Sequence, residues 1–199
     1  EEGSPLPTPK FLLFDRTQLN PQWLKIRPAS PGLLNEGNTC FANAVLQCLV
    51  YTPHLTESLI TGNHLNTCQM RGICFMCELS KLIMRCFETK KSSKHSGSSR
   101  YFSPRSFTSN MKAISKSFRT YEQQDAHEFL RCLIDKVQDS CLFGGYEKSD
   151  VYTKHSSFVH QIFGGYLRSQ VKCLTCGYKS NTYDAILDLS LEIGKANSV

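Results

Sequence analysis

The sequence predicts an α+β chain in which helices come first and strands follow. Three observations carry this. Apolar residues recur at helical spacing in successive stretches between residues 39 and 140. β-Formers dominate from Phe158 onward. Near the end, Leu187, Leu189, Leu191 and Ile193 alternate with Asp188, Ser190 and Glu192, the period of a half-buried strand. The organisation expected is an N-terminal arm over 1–30, a helical part over 31–145 and the start of a strand-rich part over 146–199.

The arm is irregular, with Phe11, Leu12, Leu13, Phe14 and Trp23 as its apolar anchors and Pro28 and Pro31 as punctuation. Phe41, Ala44, Val45, Cys48 and Leu49 then predict a helix from about Thr39 to Val50, with Asn38 or Thr39 to cap it and Pro53 to prevent a long continuation. Leu79, Leu82, Ile83, Cys86 and Phe87 share one face of a second helix over 72–88. Ser103-Pro104 suits the start of a third, running to about Phe118. Thr120 and Gln123 have the spacing of a capping box ahead of a fourth over 120–140, whose stripe is Ala126, Phe129, Leu130, Leu133, Ile134 and Val137.

Composition narrows the class. Of 199 residues, 40% are hydrophobic and 20% charged, as in an ordinary globular chain. No stretch is long and apolar enough for a membrane helix, so no membrane role is expected. The polar, Pro-rich start lacks the pattern of a secretory signal and reads as a trimmed or internal start. The net charge is +6, and much of the excess sits in residues 90–100. This reads as a solvated basic surface. No nucleic-acid-binding motif accompanies it, so nucleic acid is not an expected partner. Ten cysteines without a signal point to a reduced, intracellular protein that uses some thiols for metal, with Cys48 and Cys86 as core residues. The basic run favours a nuclear over a cytoplasmic setting.

Cys40 falls at the head of a predicted helix, after Gly37-Asn38-Thr39. Free N–H groups and a partial positive charge gather there, and both favour a thiolate over a thiol. Gly37 lets backbone approach a substrate, and the amide of Asn35 can donate to a developing oxyanion. A lone cysteine is more often structural, so the surrounding residues decide. Gly32, Asn35, Gly37-Asn38-Thr39-Cys40-Phe41, Asn43, Gln47 and Leu49 together resemble the cysteine box of the ubiquitin-specific proteases. Gln123-Gln124-Asp125-Ala126-His127-Glu128-Phe129 resembles a second box of that family, in the right order.

The resemblance covers about residues 31–193 and implies a papain-like cysteine protease hand: a helical thumb over 31–145, then the start of palm and fingers strands. It implies a deubiquitinating thiol protease acting on ubiquitin and ubiquitinated proteins. The cysteine matching Cys40 attacks the isopeptide carbonyl, and the asparagine matching Asn35 steadies the oxyanion. The residue matching Asp125 contacts the ubiquitin tail, with Gln123 nearby. At a helix start, Asp125 and Glu128 also complement the helix dipole without any ligand. His127 replaces a glutamine frequent in the family, and its place one turn into a helix does not suit a general base. The chemistry needs a histidine that takes the thiol proton. None of the six histidines has the context of the family's histidine box. The expectation is therefore a chain holding the nucleophile half, with the complementary C-terminal half of the protease domain as a partner. The rival readings are an inactive ubiquitin-binding fragment and a zinc-stabilised adaptor.

Two groups of cysteines suit structural Zn2+. His64, Cys68, Cys74 and Cys77 offer one imidazole and three thiolates in a short stretch, a set that matches a closed tetrahedral site; a surface histidine with three free thiols is the plainer reading. Cys173 and Cys176 form a CxxC after a predicted strand, suited to half a zinc site or to redox chemistry. The resemblance implies the former at the tip of the fingers, completed by a later pair.

Overall fold

The computed structural model describes residues 8–87, 101–119 and 121–194. They form two compact units, Thr17–Phe143 and residues 8–16 with 144–194. The basic run over 90–100 and Thr120 lie outside the described residues.

The first unit is a helical bundle. A short strand, β1 (Gly32–Leu33), leads into α1 (Cys40–Val50), which buries Phe41, Ala42, Val45, Leu46, Leu49 and Val50. Cys48, expected in the core, is exposed; the buried stripe of α1 passes one residue away, through Leu49. Pro53 does more than end α1. It opens α2 (Pro53–Thr61), where its fixed φ and missing N–H are harmless in the first turn. α3 (His64–Thr67) is a single turn, followed by α4 (Phe75–Phe87) on the expected apolar face.

The helix expected over 103–118 is instead two short ones. A second strand, β2 (Tyr101–Phe102), precedes α5 (Arg105–Thr108) and α6 (Met111–Ile114), with Pro104 at the N-cap of α5. Asn110 turns its side-chain amide back onto the Ser106 carbonyl at 3.0 Å, and its own backbone N–H bonds Phe107 O at 3.0 Å, so the helical ladder ends there. β1 and β2 pair in parallel, Gly32 with Tyr101 and Leu33 with Phe102.

The last helix of this unit, α7 (Ala126–Leu142), starts later than the expected 120. Asp125 is its N-cap, accepting the His127 N–H at 2.7 Å, so Gln123 stands before the helix and closes no capping box there. α1, α2, α4 and α7 pack together around Leu46, Leu79, Ile83, Phe129, Leu133 and Val137. Burying each such side chain contributes about 1.5–3 kcal/mol.

In the second unit, α8 (Val151–Lys154) is capped by Asp150 and α9 (Phe158–Phe163) by Ser157. The β-rich reading from Phe158 therefore fails for its first turns. Ser157 accepts the His160 N–H and nucleates helix, while Phe158 and Val159 bury side by side. Strands begin at β3 (Gly165–Lys172), antiparallel to β4 (Lys179–Ile186) in the register Gly165–Ile186 to Lys172–Lys179. Phe14 meets Phe158 edge-on at 5.1 Å within this unit. Residues 187–193 are not a strand. Among the described residues no neighbouring strand offers them a ladder, and Leu189, Leu191 and Ile193 are exposed.

Candidate functional site

Cys40 is the first residue of α1 and is exposed. The Thr39 carbonyl accepts the first helical bond, from Asn43 N at 3.0 Å. No side chain caps this helix. Thr39 Oγ1, expected to do so, accepts Glu36 N at 3.0 Å and donates to Asn35 Oδ1 at 3.2 Å. The N–H groups of the first turn are thus left open beside the sulfur, where negative charge is stabilised.

The turn ahead of Cys40 is built on Asn35. Its Oδ1 also accepts the N–H groups of Gly37 at 3.2 Å and Thr39 at 3.0 Å. The oxygen is fixed by the turn, which leaves Nδ2 as the side chain's free donor. Gly37 and Asn38 are both left-handed, with φ of 95° and 57°. A Cβ on Gly37 would sit 2.9 Å from Tyr121 Cδ1, so glycine is required twice over, by conformation and by space. Asn38 Nδ2 donates to Tyr121 O at 2.7 Å.

Packing then brings the two sequence boxes together. Phe41 meets Phe129 of α7 edge-on at 5.6 Å and Phe118 at 6.5 Å, so the head of α1 lies against the first turns of α7. Asp125 and Gln123 are exposed at that end of α7. The plainer role of Asp125, helix capping, is realised in its geometry, and its second carboxylate oxygen is not needed for it. A cavity of about 470 Å3 opens beside the turn, lined by Glu36, Gly37, Thr39, Phe41, Arg105 and Tyr121 among others. His64 meets Cys74 and His155 meets Tyr166, neither of them Cys40.

Spacing gave no sign of Glu36, Ser103, Thr108 or Tyr121. Glu36 accepts Ser103 Oγ at 2.6 Å, Thr108 Oγ1 at 2.5 Å and Arg105 Nε at 3.4 Å. These bonds, Ser103 and Thr108 foremost, hold its carboxyl below the ordinary range.

The four atoms offered by His64, Cys68, Cys74 and Cys77 lie within 4.8 Å of one another, compact enough for one metal ion. His64 Nε2 is 3.2 Å from Cys74 Sγ. Burial opposes a Cys74 thiolate, but hydrogen bonds from Ser140, the Cys77 backbone and side chain and His64 outweigh it and bring the thiol down to about 6. Burial and the neighbouring sulfurs push Cys77 up to about 12. Sulfurs crowded this way share protons that a cation would replace. The set fits a metal.

Cys173 and Cys176 are exposed at the tip of the β3–β4 hairpin. Cys173 N donates to Tyr178 O at 2.8 Å and Gly177 N to Cys173 O at 3.0 Å, with Gly177 at φ 73°. The backbone N–H groups of Cys176 and Thr175 lower the Cys173 thiol. Two ligands alone do not close a site.

Comparison with known proteins places this geometry. The family model described as ubiquitin carboxyl-terminal hydrolase matches residues 31–195. Probable ubiquitin carboxyl-terminal hydrolase 16 of Schizosaccharomyces pombe is 42% identical over 92% of this chain and 39% of its own length. Human ubiquitin carboxyl-terminal hydrolase 42 is 40% identical over 99% of this chain and 14% of its own. The chain thus spans a minor part of the relatives it matches. Among solved structures, the SAGA Ubp8/Sgf11/Sus1/Sgf73 DUB module bound to ubiquitin aldehyde contains a chain with TM-score 0.64 and 30% identity, over 83% of this chain and 35% of that one. A second structure of that module, with a substituted Ubp8, gives 0.60 and 27%, over 90% of this chain and 40% of that one. The fold is accordingly the mixed α/β, papain-like one of these hydrolases, and the chain belongs to the ubiquitin carboxyl-terminal hydrolase family.

Proposed function

We propose that this chain carries the nucleophile of a thiol isopeptidase that releases ubiquitin from protein lysines. The observation that supports it most is the placement of Cys40, an exposed sulfur on the uncapped head of α1 beside an Asn35 amide whose oxygen is fixed by the turn. In the proposed reaction Cys40 Sγ attacks the carbonyl carbon at the ubiquitin C-terminus. The C–S bond forms as the carbonyl electrons move to oxygen, where Asn35 Nδ2 and the open N–H groups of α1 stabilise them. The tetrahedral species collapses, the lysine amine leaves with a proton, and water hydrolyses the thioester. Asp125 and Gln123, at the neighbouring end of α7, receive the ubiquitin tail. The general base belongs to the length of the relatives that this chain does not span. In this reading 31–145 is the thumb and 146–199 the start of palm and fingers.

Zn2+ held by His64, Cys68, Cys74 and Cys77 is structural: four protein ligands leave no open position for substrate or water. Cys173 and Cys176 supply half of a second site.

The test is hydrolysis of ubiquitin–7-amido-4-methylcoumarin by the full-length protein, with labelling by ubiquitin vinyl sulfone. Cys40→Ala should abolish both while leaving ubiquitin affinity in place. Binding without hydrolysis or labelling in the unmutated protein would instead establish a ubiquitin-binding module, and label on another cysteine would refute the assignment of Cys40.

A further inference from the structure

We propose that Glu36 is a positioning residue that fastens the nucleophile turn to α5. The inference rests on the reading of Cys40 as the nucleophile. Turn geometry explains Asn35, Gly37 and Asn38, but nothing in it calls for a carboxylate between Asn35 and Gly37. The side chain of Glu36 is only 20% exposed, and it turns inward onto donors 67 to 72 residues away.

Three donors converge on it. Ser103 Oγ and Arg105 Nε donate to Oε1, and Thr108 Oγ1 donates to Oε2. The Ser103 and Thr108 bonds are charge-assisted, stronger than those between neutral groups. Arg105 is largely exposed and adds little. The same stretch holds the turn a second way, through the β1–β2 pairing and Leu34 N donating to Phe102 O at 2.9 Å. Backbone bonds therefore secure residues 32–34, and the carboxylate carries the hold forward to residue 36, next to the left-handed pair Gly37 and Asn38.

The turn needs such a fastening. One side of it borders the cavity of about 470 Å3, so packing does not press it from there. Two residues with positive φ give it little stiffness of its own. The Asn35 bonds to Gly37 and Thr39 hold the turn together internally, and the Glu36 bonds tie that unit to α5. Without the tie the turn and the oxyanion donor it carries shift relative to the substrate, and a displacement of about 1 Å can cost a factor near 100.

The experiment compares full-length wild type with Glu36→Ala, Glu36→Gln, and Ser103→Ala combined with Thr108→Val. Ubiquitin–7-amido-4-methylcoumarin kinetics and amide hydrogen exchange are read on each. Glu36→Ala should lower kcat about 10- to 100-fold with KM within about 2-fold, because the contacts proposed for the ubiquitin tail, Asp125 and Gln123, lie elsewhere. Exchange over residues 36–40 should speed up by about 10-fold or more, while the rest of α1 stays protected. The Ser103/Thr108 pair should reproduce the effect, and adding Glu36→Ala to it should change little further. Glu36→Gln, which keeps the shape and one acceptor, should be intermediate. Unchanged kcat in Glu36→Ala, or a loss that follows only a lower folded fraction with uniform exchange, would overturn the proposal. If wild type fails to turn over the substrate, the reading of Cys40 falls instead, and the exchange data still decide whether Glu36 holds the turn.

Discussion

Asn38 and Tyr121 lie 83 residues apart, and the Nδ2 of the first donates to the backbone oxygen of the second at 2.7 Å. Both residues adopt the left-handed conformation, with φ of 57° and 66°. One bond thus joins the turn that ends in Cys40 to the segment that leads into Gln123, Asp125 and α7. Asn visits this backbone form more readily than most L-residues, whereas a tyrosine does so at a cost, so the bond from Asn38 helps hold Tyr121 in it.

Substitutions at Asn38 separate the two contributions. Asn38→Gly keeps the backbone form and loses only an exposed hydrogen bond, about 0.5–1 kcal/mol. Asn38→Ala loses the bond and pays the left-handed penalty, about 2 kcal/mol together. Asn38→Asp keeps the form but sets one acceptor against another. Denaturant unfolding should rank them Gly, then Asp or Ala, and ubiquitin vinyl sulfone labelling of Cys40 should fall in the same order. Equal labelling by all three would show that the bond does not serve the site.

The cluster of His64, Cys68, Cys74 and Cys77 supports a second expectation. Ser140 sits in the last turns of α7, nearly buried, and its hydroxyl reaches both Cys74 and the Lys136 carbonyl, the latter at 3.0 Å. It therefore links the cluster to the helix whose other end bears Asp125. Stripping the metal with a strong chelator should lower the melting temperature of the protein. Ser140→Ala should weaken Zn2+ binding about 10-fold in a chelator competition, as loss of a hydrogen bond to a ligand commonly does. Unchanged competition would assign Ser140 to helix packing alone.

How far the sequence reveals this molecule depends on the range of the contacts involved. The head of α1 at Cys40, the stripe of α7 and the cluster of His64, Cys68, Cys74 and Cys77 are set by neighbours a few residues apart, so spacing exposes them. The bonds from Glu36 to Ser103 and Thr108 join residues 67 and 72 apart, and no local pattern announces them. Competition between local signals accounts for the rest. Pro53 ends one helix and starts another; Asn110 breaks a stretch whose apolar period continues; Ser157 turns β-forming residues into a helical turn. The alternation over 187–193 is a genuine period of 2, but a strand needs a partner as well as a pattern.

Arg27 and Glu57 make the arm's tightest hold on the bundle. The guanidinium donates from Nε and Nη2 to both carboxylate oxygens at 2.7 to 3.1 Å, and Leu24 N adds a bond at 3.3 Å. Glu57 is 2% exposed, and Arg27 also lies over the Phe87 ring at 5.0 Å. Removing one partner strands a buried charge, so Glu57→Ala should cost about 3–5 kcal/mol. Arg27→Met combined with Glu57→Leu should cost less than Glu57→Ala, because neither charge remains. Thermal and denaturant unfolding of the three proteins check this, and a double variant weaker than the single would refute it.

In the second unit, His155 and His160 stack with ring centroids 4.1 Å apart, and His155 Nδ1 meets Tyr166 OH at 2.7 Å. Burial, then the neighbouring His155, brings His160 down to about 4, and burial also lowers His155. Tyr152 and Tyr166 are the other titratable groups against them, and neither supplies a negative charge at neutral pH. Both imidazoles are therefore held neutral, while in the unfolded chain each titrates near pH 6.5. The unfolded state binds more protons between these values, so stability rises with pH across that window. The contribution is complete above about pH 6.5 and is lost as the pH falls toward 4, by about 1–2 kcal/mol once solvent screening of the part-exposed rings is allowed for. Glu36, Glu147 and Asp150, whose carboxyls are lowered, lose their contributions only below the carboxylate range. The Cys74 thiol at about 6 also titrates between about pH 7 and about pH 5, so the imidazole part is read as the difference between wild type and His160→Phe across that window. His160→Phe keeps an aromatic ring in the stack and removes the titration. It should flatten that part of the profile, and a profile as steep as the wild type's would mean that protons bind elsewhere.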